Sequence, residues 1–352
     1  MYKATAIAHP IQGLIKYHGL KDDIRRIPFH DSISVCMGKF LTKTTVRLAS
    51  DFENDVFFIN TSPATGREYE RAKDVMDEVR KITGRKERVL VYSQNLLEGK
   101  LFSFEEGKGL GWSSSGFSAL ALAGLATFEA TDYLSDYKKI SSIARLGAGS
   151  ATRSAAGGFA RWYASPDPKD PENSYATQIA GKQQFPNFRT IIYPIPKSVK
   201  TEDAHKEIVS SPFFEARLEY LKGVLPVMQE AIEKRYVNQI GRLAEVDSLN
   251  LAAATMTGET GMVNLIPESL KIYEKVRELR ETEKDLLAYI SWDTGPTTYI
   301  NTVSKHVDRI IKEVGDIYVP IRYNGEVKVV QVKPVVSEVG DRVELTEDHL
   351  FN

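Results

Sequence analysis

Gly109-Leu110-Gly111-Trp112-Ser113-Ser114-Ser115-Gly116-Phe117, running into Ser118-Ala119-Leu120-Ala121-Leu122-Ala123-Gly124-Leu125-Ala126, is the stretch from which the rest of this chain is read. Its glycines let the backbone turn tightly and its serines supply hydroxyls. The apolar run that follows predicts a helix whose first turn points unpaired N–H groups at the loop. An anion suits such a place, because the N–H groups and the helix dipole both favour negative charge. A plain turn before a helix has the same composition, so on chemistry alone both readings stand. Trp112 complicates the anion reading, since an indole fills volume and offers a single donor.

At 352 residues, 42% hydrophobic and 26% charged, the chain is long enough for two domains with their own cores. A net charge of -1 gives no bulk attraction to nucleic acid or to an anionic membrane, which leaves a small molecule as the expected partner. The single cysteine, Cys36, excludes an intramolecular disulfide and a multi-cysteine metal site, and fits a reduced cytoplasm. The N-terminus lacks the apolar core of a signal peptide, and no apolar run approaches the roughly 18 to 20 residues of a membrane span, so a cytoplasmic protein is expected.

Residues 3–9 alternate like a first strand, ended by Pro10. In Gly13-Leu-Ile-Lys16-Tyr17-His18-Gly19 a lysine interrupts an apolar segment, either as a snorkelling side chain or as a cation aimed into a cleft. Residues 43–49 and 55–60 alternate as antiparallel strands would, and Arg67 to Arg85 has helical spacing with its charges on a wet face. Arg88 to Ser93 reads as a strand and Gln94 to Lys108 as a connection. A second cluster of small residues, Gly147-Ala148-Gly149-Ser150-Ala151-Thr152-Arg153-Ser154, permits close backbone approach; Arg153 within it is either paired or facing an anion. The proline-rich loop 166–171 precedes a strand at 189–195, which puts the domain boundary near 185 and gives domains 1–185 and 186–352. Lys197 to His205 reads either as a solvated turn or as a source of charge for a phosphate. Helical periodicity runs from Phe213 through Leu243. Asp293, before Gly295-Pro296, is a turn former or a site residue, and Asn324-Gly325 marks a C-terminal hairpin.

Four of these stretches, in order, resemble the mevalonate diphosphate decarboxylase branch of the GHMP kinase superfamily, close to its archaeal phosphomevalonate and mevalonate 3,5-bisphosphate decarboxylases. They are Lys16-Tyr17-His18-Gly19, Gly109 to Ser115, the Arg145 to Gly158 segment and Asp293-Thr294-Gly295-Pro296. The resemblance implies an α+β GHMP kinase fold, with a ribosomal protein S5 domain 2-like N-terminal domain, a ferredoxin-like C-terminal domain and a cleft between them. It implies Asp293, Lys16 and Arg153 as catalytic residues, and Tyr17, His18, Ser113, Ser114, Ser115 and Ser150 as substrate contacts, with Lys200 added for a further phosphate. The chain departs from the family at His18 (usually Trp), Leu20 (often Lys), Glu105 (usually Pro), Trp112 (usually Ser) and Ala148 (usually Ser). Glu105 and Trp112 both oppose a nucleotide, by charge and by volume.

The activity implied is a carboxy-lyase reaction of an archaeal mevalonate pathway that makes an alkene from a 3-hydroxy acid. The departures at Glu105 and Trp112 favour an ATP-independent enzyme, converting mevalonate 3,5-bisphosphate to isopentenyl phosphate, CO2 and phosphate with no cofactor and no metal. The alternative is an ATP- and Mg2+-dependent phosphomevalonate or mevalonate diphosphate decarboxylase. An inactive GHMP-fold binding protein and a small-molecule kinase are further readings, the first opposed by retention of Lys16, Arg153 and Asp293 together. A homodimer is expected from the family, with no nucleic acid or membrane partner.

Overall fold

A computed structural model describes residues 2–102, 109–196, 201–323 and 326–351. Strand Lys3–Ala8 pairs antiparallel with Phe40–Leu48, which pairs antiparallel with Val89–Leu97. Val56–Ile59 lies parallel to Val89–Leu97, contrary to the antiparallel expectation. Alternation fixes which face a strand buries, not its direction. Here helix α1 (Gly66–Thr83) carries the chain back across the sheet between the two strands, and such a crossover yields a parallel pair. A second sheet has the order Ala176–Ala180, Phe159–Trp162, Ser32–Cys36, Ile11–Ile15.

Helix α2 (Trp112–Thr127) begins within the Gly/Ser stretch and not at the apolar run after it. Gly111 makes the entry with φ 71, a left-handed conformation that favours glycine. α3 (Tyr137–Gly147) is capped by Asp136, whose carboxylate accepts the N–H groups of Lys138 and Lys139, and the short α4 (Ala151–Ala156) follows. The buried alanines and leucines of α2 pack with Val75, Met76 and Val79 of α1 and with Ile140 and Ile143 of α3 into the N-terminal core. Small residues along α2 are what let three helices meet at one place.

In the C-terminal half, Phe188–Tyr193 is flanked by Thr298–Val303 and Val335–Ser337, with Ala288–Trp292 outside Thr298–Val303. Its helices are α5 (Thr201–Ser210), α6 (Phe214–Glu233), α7 (Val237–Met256), α8 (Pro267–Thr282) and α9 (Val307–Val314). The turn expected at 197–205 is helical from Thr201. The helical run expected through 243 breaks between α6 and α7, where Arg235 takes φ 60. The hairpin Ile317–Tyr323 with Glu326–Val332 is present; its turn residues Asn324 and Gly325 lie outside the described residues. The chain then returns to the first half, where Glu344–Thr346 pairs antiparallel with Lys3–Ala8.

The inner faces of α6 and α7 bury Leu221, Leu225, Met228, Ile240 and Ala244 against Leu14, Ile15, Ile33, Val35 and Phe159 of the second sheet. This shared core joins the two halves at a fixed place. The cleft opens beside it, at the ends of Ile11–Ile15 and Ala288–Trp292.

Candidate active site

A cavity of about 410 Å³ runs between the two halves. One end is walled by Lys16, Tyr17, His18, Ser150, Arg153, His205, Asp293 and Thr294. The other reaches Phe57, Phe58, Ile59, Asn60, Ser93 and Asn95 on the N-terminal sheet.

Asp293 follows the strand Ala288–Trp292, whose burial fixes where the carboxylate emerges. The Gly13 N–H donates to both carboxylate oxygens, at 3.1 and 3.4 Å. A Cβ on Gly13 would stand 2.8 Å from Asp293 Oδ1 and 3.1 Å from Lys16 Cγ, so this approach requires glycine.

Lys16 lies beneath. Its ammonium donates to Ser248 Oγ (2.6 Å), Ser291 Oγ (2.8 Å) and the carbonyl oxygens of Ala244 (3.2 Å) and Leu14 (3.4 Å). These contacts hold the ammonium in the wall of the cavity. Burial pushes its pKa down to about 8, against the upward pull of Asp247 and Asp293. The backbone of Lys16 is clamped as well: its N–H donates to Asp247 Oδ2 at 2.9 Å and its carbonyl accepts Arg217 Nη2 at 3.0 Å. Arg217 and Asp247 are themselves a buried ion pair at 3.1 Å. The geometry makes Lys16 a fixed positive charge behind Asp293.

Arg153 comes from α4 and is 2% exposed. Nη1 donates to Ser32 Oγ at 2.8 Å, the guanidinium lies 5.2 Å from the Tyr17 ring centroid and 5.7 Å from that of Trp162, and Nε is buried without a hydrogen-bond partner. Burial lowers its pKa to about 10, opposed by Tyr17 and Asp293, so it is cationic at neutral pH. A buried guanidinium held mainly by aromatic faces suits an anionic ligand. Gly149 lets Tyr17 and Trp162 close over it, since a Cβ there would stand 2.6 Å from the Tyr17 hydroxyl and 2.7 Å from the Trp162 ring.

The serines of the glycine stretch divide by helical phase. Ser113, Gly116, Phe117 and Leu120 face the cavity at helical spacing. Ser114 and Ser115, expected as substrate contacts, face inward, because in a helix that starts at Trp112 they lie toward the sheet. Ser114 Oγ donates to the Gly111 carbonyl (2.7 Å) and accepts the Ile11 N–H (3.2 Å), while Ser115 Oγ is 2.6 Å from Thr42 Oγ1. Trp112 packs edge-on against Phe40 with ring centroids 5.7 Å apart, and lines the cavity without closing it. Its volume is taken up by the cluster of Phe40, Leu110 and Tyr299, so the chamber beyond it stays open. Glu105 and Lys200 lie outside the described residues. His18 reaches Thr294 Oγ1 through Nε2 at 3.2 Å, and Ser150 lines the wall beside Arg153.

Several residues of this site were not anticipated. Arg71, on the face of α1 whose charges predict contact with water, lines the cavity with Glu68 and Ala72, and burial together with the charges of Arg26 and Arg67 pulls its pKa to about 10. The spacing of 68, 71 and 72 marks one face of α1, but nothing in the sequence says which face meets a cavity. Ser248 and Ser291 become recognisable only once α7 and the strand before Asp293 are seen to meet at Lys16.

Residues 8–176 match the diphosphomevalonate decarboxylase-like N-terminal domain, and residues 197–348 the mevalonate 5-diphosphate decarboxylase C-terminal domain. The phosphomevalonate decarboxylase of Haloferax volcanii is 40% identical over 315 residues, covering 89% of this chain and 92% of that one. The chain belongs to the diphosphomevalonate decarboxylase-like family. Within it, the mevalonate 3,5-bisphosphate decarboxylase of Thermoplasma acidophilum is 25% identical, covering 91% of this chain and 75% of that one. A structure of the mevalonate diphosphate decarboxylase of Enterococcus faecalis, concerned with mevalonate diphosphate mediated ATP binding, superposes with a TM-score of 0.82 at 26% identity over 99% of both chains. The fold is thus the GHMP kinase fold of the mevalonate-pathway decarboxylases, and the family's chemistry is that of a carboxy-lyase. No helix among the described residues is long and apolar enough to cross a membrane.

Proposed function

We propose that the chain is an ATP-dependent phosphomevalonate decarboxylase, converting mevalonate 5-phosphate and ATP to isopentenyl phosphate, CO2, phosphate and ADP. The observation that carries this reading is the cavity's continuation past Trp112 into a chamber with an apolar wall, Phe57, Phe58 and Ile59, and polar edges at Asn60, Ser93 and Asn95. That lining fits an aromatic base with hydrogen-bonding edges. The similarity to the Haloferax volcanii enzyme supports the monophosphate as substrate.

In this reading Asn60, Ser93 and Asn95 hold the nucleotide, whose γ-phosphoryl group makes the tertiary 3-oxygen a leaving group. Asp293 accepts the 3-hydroxyl proton as that oxygen takes the phosphoryl group. Arg153 holds the substrate's anionic end. Lys16, held below by the protein, balances the charge of Asp293. When the C3–O bond breaks and phosphate leaves, the electrons of the bond to the carboxyl carbon form the double bond and CO2 departs.

The second reading, ATP-independent decarboxylation of mevalonate 3,5-bisphosphate, is favoured by Trp112, whose indole lines the cavity between the two chambers. CO2 release from mevalonate 5-phosphate with ATP and Mg2+, beside mevalonate 3,5-bisphosphate without ATP, separates the two. Turnover of the bisphosphate alone, with none of the monophosphate plus ATP, overturns the first reading.

A further inference from the structure

We propose that a cavity of about 20 Å³ on the far side of Asp293 is a water-binding site, and that Asn264 is a positioning residue which holds the Asp293 carboxylate through that water; the inference rests on Asp293 being the carboxylate that reacts, as proposed above. The cavity lies between α7 and the strand Ala288–Trp292, where Ser248, Thr255, Asn264, Trp292 and Asp293 form part of its wall. Among the described residues only His18 and Asp293 line both this cavity and the cleft, so Asp293 stands between the two. One water needs roughly 10–15 Å³ of such space, so there is room for a water and for no organic ligand.

Three polar groups of this wall accept hydrogen bonds. The Asn264 carbonyl oxygen, Oδ1, is buried with no hydrogen-bond partner. Thr255 Oγ1 gives its proton to the Leu251 carbonyl at 2.8 Å and presents lone pairs. Asp293 is a carboxylate. Ser248 Oγ is already engaged: it accepts the Lys16 ammonium at 2.6 Å and the Trp292 N–H at 3.1 Å, and donates to the Ala244 carbonyl at 2.7 Å. A place walled by an amide oxygen, a hydroxyl oxygen and a carboxylate takes a hydrogen donor, and water is the donor that fits the space. One O–H on Asn264 Oδ1 and the other on Asp293 would satisfy an amide oxygen that otherwise carries its full desolvation cost. Asn264 is fixed from outside. The segment between α7 and α8 that carries it is pinned by Glu207 of α5, whose carboxylate accepts the N–H groups of Thr260 (2.9 Å) and Met262 (3.4 Å) and the Thr260 hydroxyl (2.9 Å), while Leu265 and Ile266 pack on the C-terminal core. From the cleft side the Gly13 N–H reaches Asp293 at 3.1 and 3.4 Å, long for bonds to a carboxylate. A second donor on the opposite side sets the plane of the carboxylate, which a general base must hold to meet the 3-hydroxyl.

High-resolution diffraction from crystals of the full chain should show one water in the cavity, about 2.7–3.2 Å from both Asn264 Oδ1 and an Asp293 oxygen. In Asn264→Leu, which keeps the volume and removes the acceptor, that water should be gone. There kcat should fall about 10-fold, the effect of one hydrogen bond to a carboxylate, while KM and the calorimetric dissociation constant of the substrate stay within about 2-fold. Asn264→Ser returns an oxygen acceptor with room for a second bridging water, and should recover kcat to within about 3-fold of the parent. The kinetics use mevalonate 5-phosphate with ATP and Mg2+, or mevalonate 3,5-bisphosphate where that alone is turned over. A dry cavity in the parent, a density ligated at about 2.3–2.6 Å as a metal cation would be, or equal kcat in the Leu and Ser variants overturns the proposal. Asp293→Asn separates it from the reading above. If that variant turns over like the parent, the role given to Asp293 falls and the positioning role of Asn264 with it; an inactive Asp293→Asn beside a dry cavity overturns the water alone.

Discussion

Ser291→Ala removes one of the two hydroxyls that receive the Lys16 ammonium and leaves the rest of its cage in place. Ser291 is the cleaner choice of the pair: beyond Lys16 its hydroxyl donates to the Gly13 carbonyl at 3.1 Å, whereas Ser248 accepts the Trp292 N–H and donates to the Ala244 carbonyl, so its loss would disturb α7 and the neighbouring strand together. Burial has already pushed the Lys16 pKa down to about 8. A hydrogen bond to an ammonium contributes about 1.5–3 kcal/mol to the charged form, and each pKa unit corresponds to about 1.4 kcal/mol, so the variant should lose a further one to two units, roughly. The sign follows from which form is stabilised: the hydroxyl accepts from the cation, so its removal favours the neutral amine. If Asp293 needs a cationic Lys16 behind it, the pH profile of kcat/KM in the parent falls on an alkaline limb near pH 8. In Ser291→Ala that limb moves to about pH 6–7. An alkaline limb that stays within half a unit of the parent's would refute the placement of Lys16 as the electrostatic support of Asp293.

Arg153→Lys, which replaces a planar fork by a point charge, should lower kcat/KM at least about 100-fold with little change in melting temperature, as steady-state kinetics beside thermal unfolding would reveal. Asp247→Asn strips the carboxylate from a pair whose side chains are 0 and 1% exposed, so urea unfolding should report a loss of about 3–5 kcal/mol. The pKa of Lys16 lies below its ordinary value of 10.5 in the folded protein, so between about pH 8 and 10.5 the unfolded chain holds more of that proton and stability gains about 3 kcal/mol as pH rises. Denaturant titrations across that window should show the parent gaining this amount relative to Lys16→Met, because the opposing loss from Cys36, whose thiol burial pushes up to about 12, is common to both proteins. Gly149→Ala drives a methyl against Tyr17 and Trp162, and calorimetry should find substrate affinity falling by more than the accompanying loss of stability.

Residue patterns that carry one meaning were readable from the chain alone. Alternation at 3–8 and helical spacing in α1 each have one physical reading, and both appear in the structure. What escaped were facts about phase and direction. The glycine stretch reads as a loop until its first helical residue is known. Once Trp112 is that residue, 3.6 residues per turn sends Ser113 to the cavity and Ser114 and Ser115 inward. The strand Val56–Ile59 likewise revealed its faces and not its direction. Arg71 and His205 escaped for a different reason: each becomes a site residue through elements distant in sequence, and a charged helix face looks the same whether it meets water or a cavity.

The main chain passes between the two halves twice. It crosses once ahead of Phe188–Tyr193 and again after Val335–Ser337, where the Gly340 N–H donates to the Cys36 carbonyl at 2.9 Å and the Gly340 carbonyl accepts the Gly158 N–H at 3.0 Å before Glu344–Thr346 joins the first strand. With the core that α6 and α7 share with the second sheet, these two crossings brace the seam from three sides, so the walls that present Asp293 and Arg153 to the cleft are set by packing before any ligand arrives.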